Sequence, residues 1–266
     1  MVKQQPSTYW DAETYDRLNV PHRRWARAII DHLDLNGDET VLDAGCGSGS
    51  VTFMLLERLP RGRIYALDFS SEMIAKITES IHERGLRNVT PIQGDLTNFT
   101  LPEPVDLVFS NAVLHWIHDD DALFRCLLRA TKPGGRLRAQ CGGGDIFARF
   151  NPAVEAVRQR PPFDRYLDAT RDTKNYRTPE VAKGAMQSAG WTDVRASTHD
   201  APVPFDHHDE AALYLRTIIL RDHVANLPED LQEPYLRAVI GEYVRLFGEP
   251  FTADYVRLDL WATRPA

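Results

Sequence analysis

The chain has 266 residues, 43% of them hydrophobic, with 31 Lys or Arg against 38 Asp or Glu for a formal charge of −7, the profile of a soluble protein of one large domain or two small ones. A net negative chain whose nearest basic cluster is Arg23-Arg24 repels phosphate backbones. No run approaches the roughly 18–20 apolar residues that cross a bilayer, and Met1 to Pro6 has no signal-type apolar stretch, so neither a nucleic acid nor a membrane is an expected partner and the reading is cytoplasmic. Cys46, Cys126 and Cys141 form no C-x-x-C pair, which predicts reduced, buried thiols and no metal site.

Strand-type and helix-type periods alternate along the first half. Trp25, Ile29 and Leu33 build one apolar stripe and predict a helix over 20–34. A short apolar strand from Glu39 to Ala44 runs into a glycine-rich turn and a helix with Val51, Leu55 and Leu59 inward, ended by Pro60-Arg61-Gly62. Arg63 to Asp68 is the next strand. Ser70 or Ser71 caps the following helix, whose Met73, Ile74, Ile77 and Ile81 share a face and whose Gly85 fits its end. Val89–Gln93 and Pro104–Ser110 are the third and fourth strands, 119–131 is a helix, and Lys132-Pro133-Gly134-Gly135 turns into a fifth strand over 136–141. Crossover helices between these strands imply a parallel, doubly wound α/β sheet, whose ligands sit at the carboxyl ends of the strands.

The second half is less regular. Residues 144–178 carry Pro152, Pro161 and Pro162 and predict a partly helical excursion. Thr178-Pro179-Glu180 opens a helix to about Ala189, and Trp191–Thr198 is a strand. Two helical patterns over 207–247 split near Leu227-Pro228-Glu229, and Phe251–Thr263 alternates as one last strand, with Tyr255, Arg257 and Asp259 on one face. The expected organisation is a single domain over 1–266: an N-terminal cover segment and helix over 1–34, a cofactor-binding core over 35–143, a lid excursion over 144–178, and the rest of the sheet over 179–266 with a helical insertion over 200–250.

The chemistry concentrates in Val41-Leu42-Asp43-Ala44-Gly45-Cys46-Gly47-Ser48-Gly49-Ser50. Glycines at a strand-to-helix turn let backbone approach a ligand. A dinucleotide fingerprint, G-x-G-x-x-G, requires glycine at position 50, where Ser50 stands, and Asp43 would repel a pyrophosphate but favours a cationic ligand. Two further acids end strands: Asp68 in Ala66-Leu67-Asp68-Phe69-Ser70, able to accept from two vicinal hydroxyls, and Asp95 in Gly94-Asp95-Leu96, able to accept from an amino group.

Over residues 39–141 this set resembles the class I S-adenosylmethionine-dependent methyltransferases, whose first motif is an acid followed by G-x-G-x-G and whose next two signatures are acids after the second and third strands. The resemblance implies a Rossmann-like, seven-stranded, mostly parallel sheet with an antiparallel last strand, and S-adenosyl-L-methionine as cofactor. It implies contacts to that cofactor from Asp43, Gly45, Cys46, Gly47, Gly49, Asp68, Phe69, Met73, Asp95, Leu96 and Asn111. The string Ser110-Asn111-Ala112-Val113-Leu114-His115-Trp116 lacks the Asn/Asp-Pro-Pro-aromatic element of nucleobase and glutamine-amide methylation. With Gln140-Cys141-Gly142-Gly143 it is similar to the trans-aconitate and juvenile-hormone-acid type of small-molecule methyltransferase.

The expectation is methyl transfer to a small molecule, foremost O-methylation of a carboxylic acid, by a monomer or homodimer. O-, N- or C-methylation of another metabolite, a nicotinamide-dependent oxidoreductase and a noncatalytic cofactor-binding domain are the alternatives. His115, after the fourth strand, is the candidate catalytic base, ahead of His118 and His22, and the adjacent His207-His208 is read as a solvated helix start. Arg149, Arg171, Arg177 and Arg216 are candidate carboxylate clamps. The aromatic Tyr9-Trp10 to Tyr15-Asp16 segment is expected to fold over the cofactor, with Tyr15 or Trp10 touching it.

Overall fold

A computed structural model describes residues 20–167 and 174–266; the cover segment with Trp10 and Tyr15, and Arg171, lie outside the described residues. The chain alternates α1 (Val20–Ile30), β1 (Thr40–Ala44), α2 (Ser50–Leu56), β2 (Arg63–Asp68), α3 (Ser71–Glu83), β3 (Val89–Gln93), β4 (Val105–Asn111), α4 (Asp120–Ala130) and β5 (Thr131–Gly142). Local chemistry places the helix starts. Ser70 Oγ accepts from the Met73 amide, Asp119 Oδ1 from Ala122, and Thr178 Oγ1 from Val181 ahead of Pro179, the first residue of the helix over Pro179–Ser188.

The seven-stranded sheet has the order β3-β2-β1-β4-β5-β9-β6, where β6 is Thr192–Asp200 and β9 is Val256–Thr263. The pairs among β1 to β5 are parallel, while β9 runs antiparallel between β5 and β6. Alternation along each strand feeds two layers of core. Val41, Leu107 and Phe109 pack with Ile29 and Ile30 of α1 and Met54 and Leu55 of α2. Leu42, Val108, Leu258 and Leu260 pack on the opposite face with Phe124 and Leu127 of α4, Met186 and Trp191.

Two expected boundaries differ. The strand ladder of β5 starts irregularly at Thr131 and becomes regular from Arg136. The single strand expected over 251–263 is two: Phe251–Ala253 (β8) pairs with Val203–Phe205 (β7) in a separate ribbon, and β9 begins only at Val256. The break falls at Asp254, whose carboxylate accepts from the Arg149 and Phe150 amides at 2.7 and 3.2 Å and so caps the helix α5 (Phe150–Arg158).

The excursions over 144–178 and 200–250 share one core. Phe150, Val154 and Val157 of α5 meet Tyr235, Leu236, Val239 and Tyr243 of the long helix Glu229–Phe247, with Tyr214, Phe251 and Tyr255 between them. Phe147, Ile218 and Ile219 from this cap form part of the wall of a cavity at the carboxyl edge of the sheet. No helix among the described residues is long and apolar enough to cross a membrane.

Phe150 is buried on both sides by this shared core. Phe150→Ala is expected to destabilise the chain by about 3–5 kcal/mol, read from urea unfolding; a loss below about 1 kcal/mol would show that the cap is not packed as described.

Candidate active site at the carboxyl edge of the sheet

The turn after β1 is fastened to β2: the Gly45 and Cys46 amides both donate to the Leu67 carbonyl, at 2.8 and 2.9 Å. Gly45, Gly47 and Gly49 all have positive φ, so each favours glycine on conformational grounds, but their surroundings separate them. A Cβ at Gly45 would lie 2.2 Å from Val113 and one at Gly49 2.7 Å from Ile77, whereas one at Gly47 would meet nothing within 4 Å. Two of the glycines therefore serve packing, and Gly47 faces open space.

Asp68 closes the turn, its Oδ2 accepting from the Gly47 amide and its Oδ1 from Ser70, both at 2.9 Å. Burial holds its carboxyl above the usual range. Asp43 is deeper, 1% exposed, and its Oδ2 accepts from Thr52 Oγ1 at 2.6 Å. Burial pushes its carboxyl up to about 7, with a smaller contribution from the negative charge of Asp68. The Cys46 thiol is raised by burial and then by the two acids, so it is an inert thiol rather than a nucleophile.

Beside this turn Phe69 presents a ring that is 74% exposed, an apolar face in water at the lip of the cleft. Met73 is buried in the first turn of α3. Asp95 is exposed with its Oδ1 engaged by the Thr97 amide and hydroxyl, both at 2.8 Å, while Leu96 is buried in the core under α4. Asn111 ends β4, its Nδ2 reaching the His22 carbonyl at 3.4 Å. Asp43, Gly47, Asp68, Phe69 and Asp95 thus fall on one edge of β1 to β3, and Asn111 next to them on β4.

Over β4, β5 and β9 lies a cavity bordered by His22, Ala112, His115, Gly142, Tyr255 and Arg257. Ala112 has φ +62, a strained value for a residue with a Cβ. His115 is buried, stacked on Tyr176 at 5.7 Å, and its Nδ1 accepts from the Gly142 amide at 3.3 Å. Burial, then the charges of Arg257 and Lys174, hold its pKa well below the usual histidine value. A neutral ring whose Nδ1 is an acceptor carries its hydrogen on Nε2, so its second nitrogen is a donor. His22 is likewise held neutral, its pKa lowered to about 3 by burial and Arg257, and among the described residues its buried Nδ1 has no hydrogen-bond partner.

The expected clamps that fall among the described residues, Arg149, Arg177 and Arg216, are engaged elsewhere. Arg177 is buried, but it binds Asp120 and the Leu114 and Ile117 carbonyls, locking the turn after β4. Arg216 reaches Gln232 and Glu233, and Arg149 lies over Phe247. His118 is exposed, and His208 pairs with Glu249 at 3.0 Å. Among the described residues the cavity wall instead carries Lys174 and Arg257, and Arg257 is the buried one, 1% exposed, its Nε donating to Gln140 Oε1 at 3.1 Å. Sequence reasoning passed over it as one position on an alternating polar face. The available signal was the row Arg136, Arg138, Gln140 on β5, which gives a neighbouring strand its own polar face to match.

Residues 41–135 match the family described as a methyltransferase domain. The trans-aconitate 2-methyltransferase of Azoarcus sp. (strain BH72) is 36% identical over 131 residues, covering 49% of this chain and 50% of the relative. That of Yersinia pestis (strain Pestoides F) is 25% identical over 234 residues, 86% of each. The chain spans about half the length of the first curated relatives it matches. A solved structure of phosphoethanolamine N-methyltransferase 2 from Haemonchus contortus, in complex with phosphomonomethylethanolamine and S-adenosylhomocysteine, is similar with a TM-score of 0.59 at 18% identity, over 91% of this chain and 53% of that one, a likeness of fold.

The raised carboxyl of Asp43 has a consequence for stability. The unfolded chain loses this proton near 3.8 and the native chain near 7, so between those values the native state binds more protons and stability falls as pH rises, levelling off above 7. Asn at this position still accepts from Thr52 and cannot ionise. Asp43→Asn is therefore expected to match the parent chain in stability at pH 4 and to exceed it increasingly up to pH 8, by about 4 kcal/mol at most. Thermal unfolding across that range checks it; an advantage that is constant, or largest in acid, contradicts the burial described.

Proposed function

We propose that this chain, whose residues 41–135 belong to the methyltransferase-domain family, transfers a methyl group from S-adenosylmethionine to a carboxylate oxygen of a small molecule. Bound at the glycine turn, S-adenosylmethionine would supply an electrophilic methyl carbon: the C–O bond formed would be balanced by the C–S bond broken, its electron pair going to sulfur, to leave S-adenosylhomocysteine and an uncharged ester group.

The residues present fit such a group. Gly47 leaves room where a Cβ would intrude, and each Asp68 oxygen spends one lone pair on a backbone amide and keeps another for a ribose hydroxyl. The exposed Phe69 ring offers a stacking face for a purine, and Asp95 retains Oδ2 as an acceptor for its amino group. Asp43 sits deepest under the turn, where a positive sulfur favours its ionised form.

One observation carries the choice of acceptor. The cavity beside the turn has Arg257 and Lys174 and neutral histidines on its wall, and no Asp or Glu among the described residues that line it. Such a wall attracts an anion, and a carboxylate is already nucleophilic at neutral pH, so no general base is needed. His115, with its hydrogen on Nε2, would hold the acceptor by donation and not take a proton from it. The apolar cap residues Phe147, Ile218 and Ile219 keep water from that contact. The relatives named trans-aconitate 2-methyltransferase support the same class of acceptor.

The test is release of S-adenosylhomocysteine with carboxylic acids, phenols and amines offered in parallel. Turnover confined to carboxylic acids, with kcat/KM for the acid flat from pH 6 to 9 at saturating S-adenosylmethionine, is expected; turnover of phenols or amines alone would refute the ester reading. His115→Asn should raise KM about tenfold with the pH profile still flat, whereas loss of a basic limb would make His115 a base. Gly47→Ala should weaken S-adenosylhomocysteine binding at least about tenfold at a cost to folding of about 1–2 kcal/mol, because the new methyl fills ligand space and only the positive φ strains the backbone.

A further inference from the structure

A guanidinium as deeply buried as that of Arg257 ordinarily has a carboxylate against it. Among the described residues Arg257 has none within ion-pair distance: its Nε donates to Gln140 Oε1 at 3.1 Å, its Nη2 approaches Asn111 Oδ1 at 3.5 Å, and its plane lies over Trp25 at 4.6 Å. Yet Asp259 is two residues away on the same strand, hence on the same face.

Gln140 stands between them. It is the cross-strand partner of Asp259, and its amide is divided, with Oε1 toward Arg257 and Nε2 donating to Asp259 Oδ1 at 3.0 Å. Asp259 is further engaged by Arg138 Nη2 on the same Oδ1 at 3.0 Å and by His199 Nδ1 on Oδ2 at 2.8 Å, and Arg138 is itself stacked on Trp261 at 3.9 Å. Asp259 thus has other partners, and among the described residues the side-chain oxygens within hydrogen-bond distance of Arg257 are the neutral amide oxygens of Gln140 and Asn111, with Asp259 acting on it only from farther off. The cavity that Arg257 lines, about 60 Å³, is roughly two water volumes, room for a carboxylate group. His22, whose Nδ1 has no partner among the described residues, lines the same wall.

We propose that Arg257 anchors a carboxylate of the acceptor, and that Gln140 keeps the guanidinium available by holding Asp259 away from it. The inference rests on the reading that the acceptor is a carboxylic acid. It assigns specificity to a residue that no part of the glycine turn contains, and gives Gln140 a positioning role that acts through Arg257. Replacing its amide by a carboxylate of the same shape would pair Arg257 internally and take the guanidinium charge from the cavity, leaving Lys174 at its wall.

The experiment is calorimetric titration of trans-aconitate into the full chain saturated with S-adenosylhomocysteine, for the parent and for Gln140→Glu, Arg257→Met and Arg257→Lys. The parent is expected to bind, Gln140→Glu to lose at least about tenfold in affinity, Arg257→Met to lose more, and Arg257→Lys to recover part of that loss. Affinity for S-adenosylhomocysteine should stay within about twofold throughout, which also reports that each variant is folded. The proposal is overturned if the parent does not bind, if Gln140→Glu and Arg257→Met bind trans-aconitate as the parent does, or if cofactor affinity falls in parallel, which would put Arg257 on the cofactor's own carboxylate. Binding that depends on Arg257 without ester formation would uphold the anchor and refute the methyl-transfer reading.

Discussion

The antiparallel insertion of β9 between β5 and β6 is the constraint on which the cleft depends. Each parallel strand delivers its last residues to the carboxyl edge: Asp43 near the end of β1, Asp68 at the end of β2 and Asn111 at the end of β4. A strand running the other way delivers its first, so Arg257, the second residue of β9, stands opposite Gly142 at the end of β5. The same register puts Asp259 opposite Gln140, one step further from the edge, so one antiparallel ladder creates both the cleft cation and the means of keeping its nearest acid off it. A cation so placed comes from the last strand of the chain, and the anion-binding half of the site is complete only when that strand has docked between two others.

Around this edge the charges are sorted. Acids lie under the glycine turn, where Asp43 and Asp68 are held above their usual range by burial. Cations and neutral histidines lie across the cleft, and Arg177 is spent on Asp120 and two carbonyls to hold the turn that carries His115. Such a sorting of charge suits the proposed transfer, in which a sulfonium and a carboxylate would lose their charges together as the methyl group moves. The cap contributes the remaining element, a dry apolar wall from two excursions that fold on one shared core.

The sheet was legible because parallel strands covered on both faces read as continuous apolar runs, and because Ser70, Asp119, Thr178 and Pro179 mark helix starts by local chemistry. The turn at Gly45–Gly49 was legible because glycine spacing and an acid carry ligand chemistry within a few residues. The Phe251–Thr263 segment was half legible: its alternation is real, but Asp254 leaves the strand to cap α5, a contact across more than a hundred residues. Arg257 was hidden for the same kind of reason. Its alternation with Val256 and Leu258 reads as a solvent face, and only the pairing with β5, together with Trp25 from α1, makes that face buried. His115 was singled out by its place after β4, but the contact that makes its Nδ1 an acceptor from the Gly142 amide is encoded by no local pattern.

The most direct measurement is a crystal structure of the chain with S-adenosylhomocysteine and trans-aconitate bound. The account predicts a substrate carboxylate on the Arg257 guanidinium, with the Gln140 amide still between Arg257 and Asp259 and the thioether sulfur at the glycine turn facing an acceptor oxygen. An Arg257 turned onto Asp259, or a trans-aconitate held by other cations with the cavity empty, would contradict it.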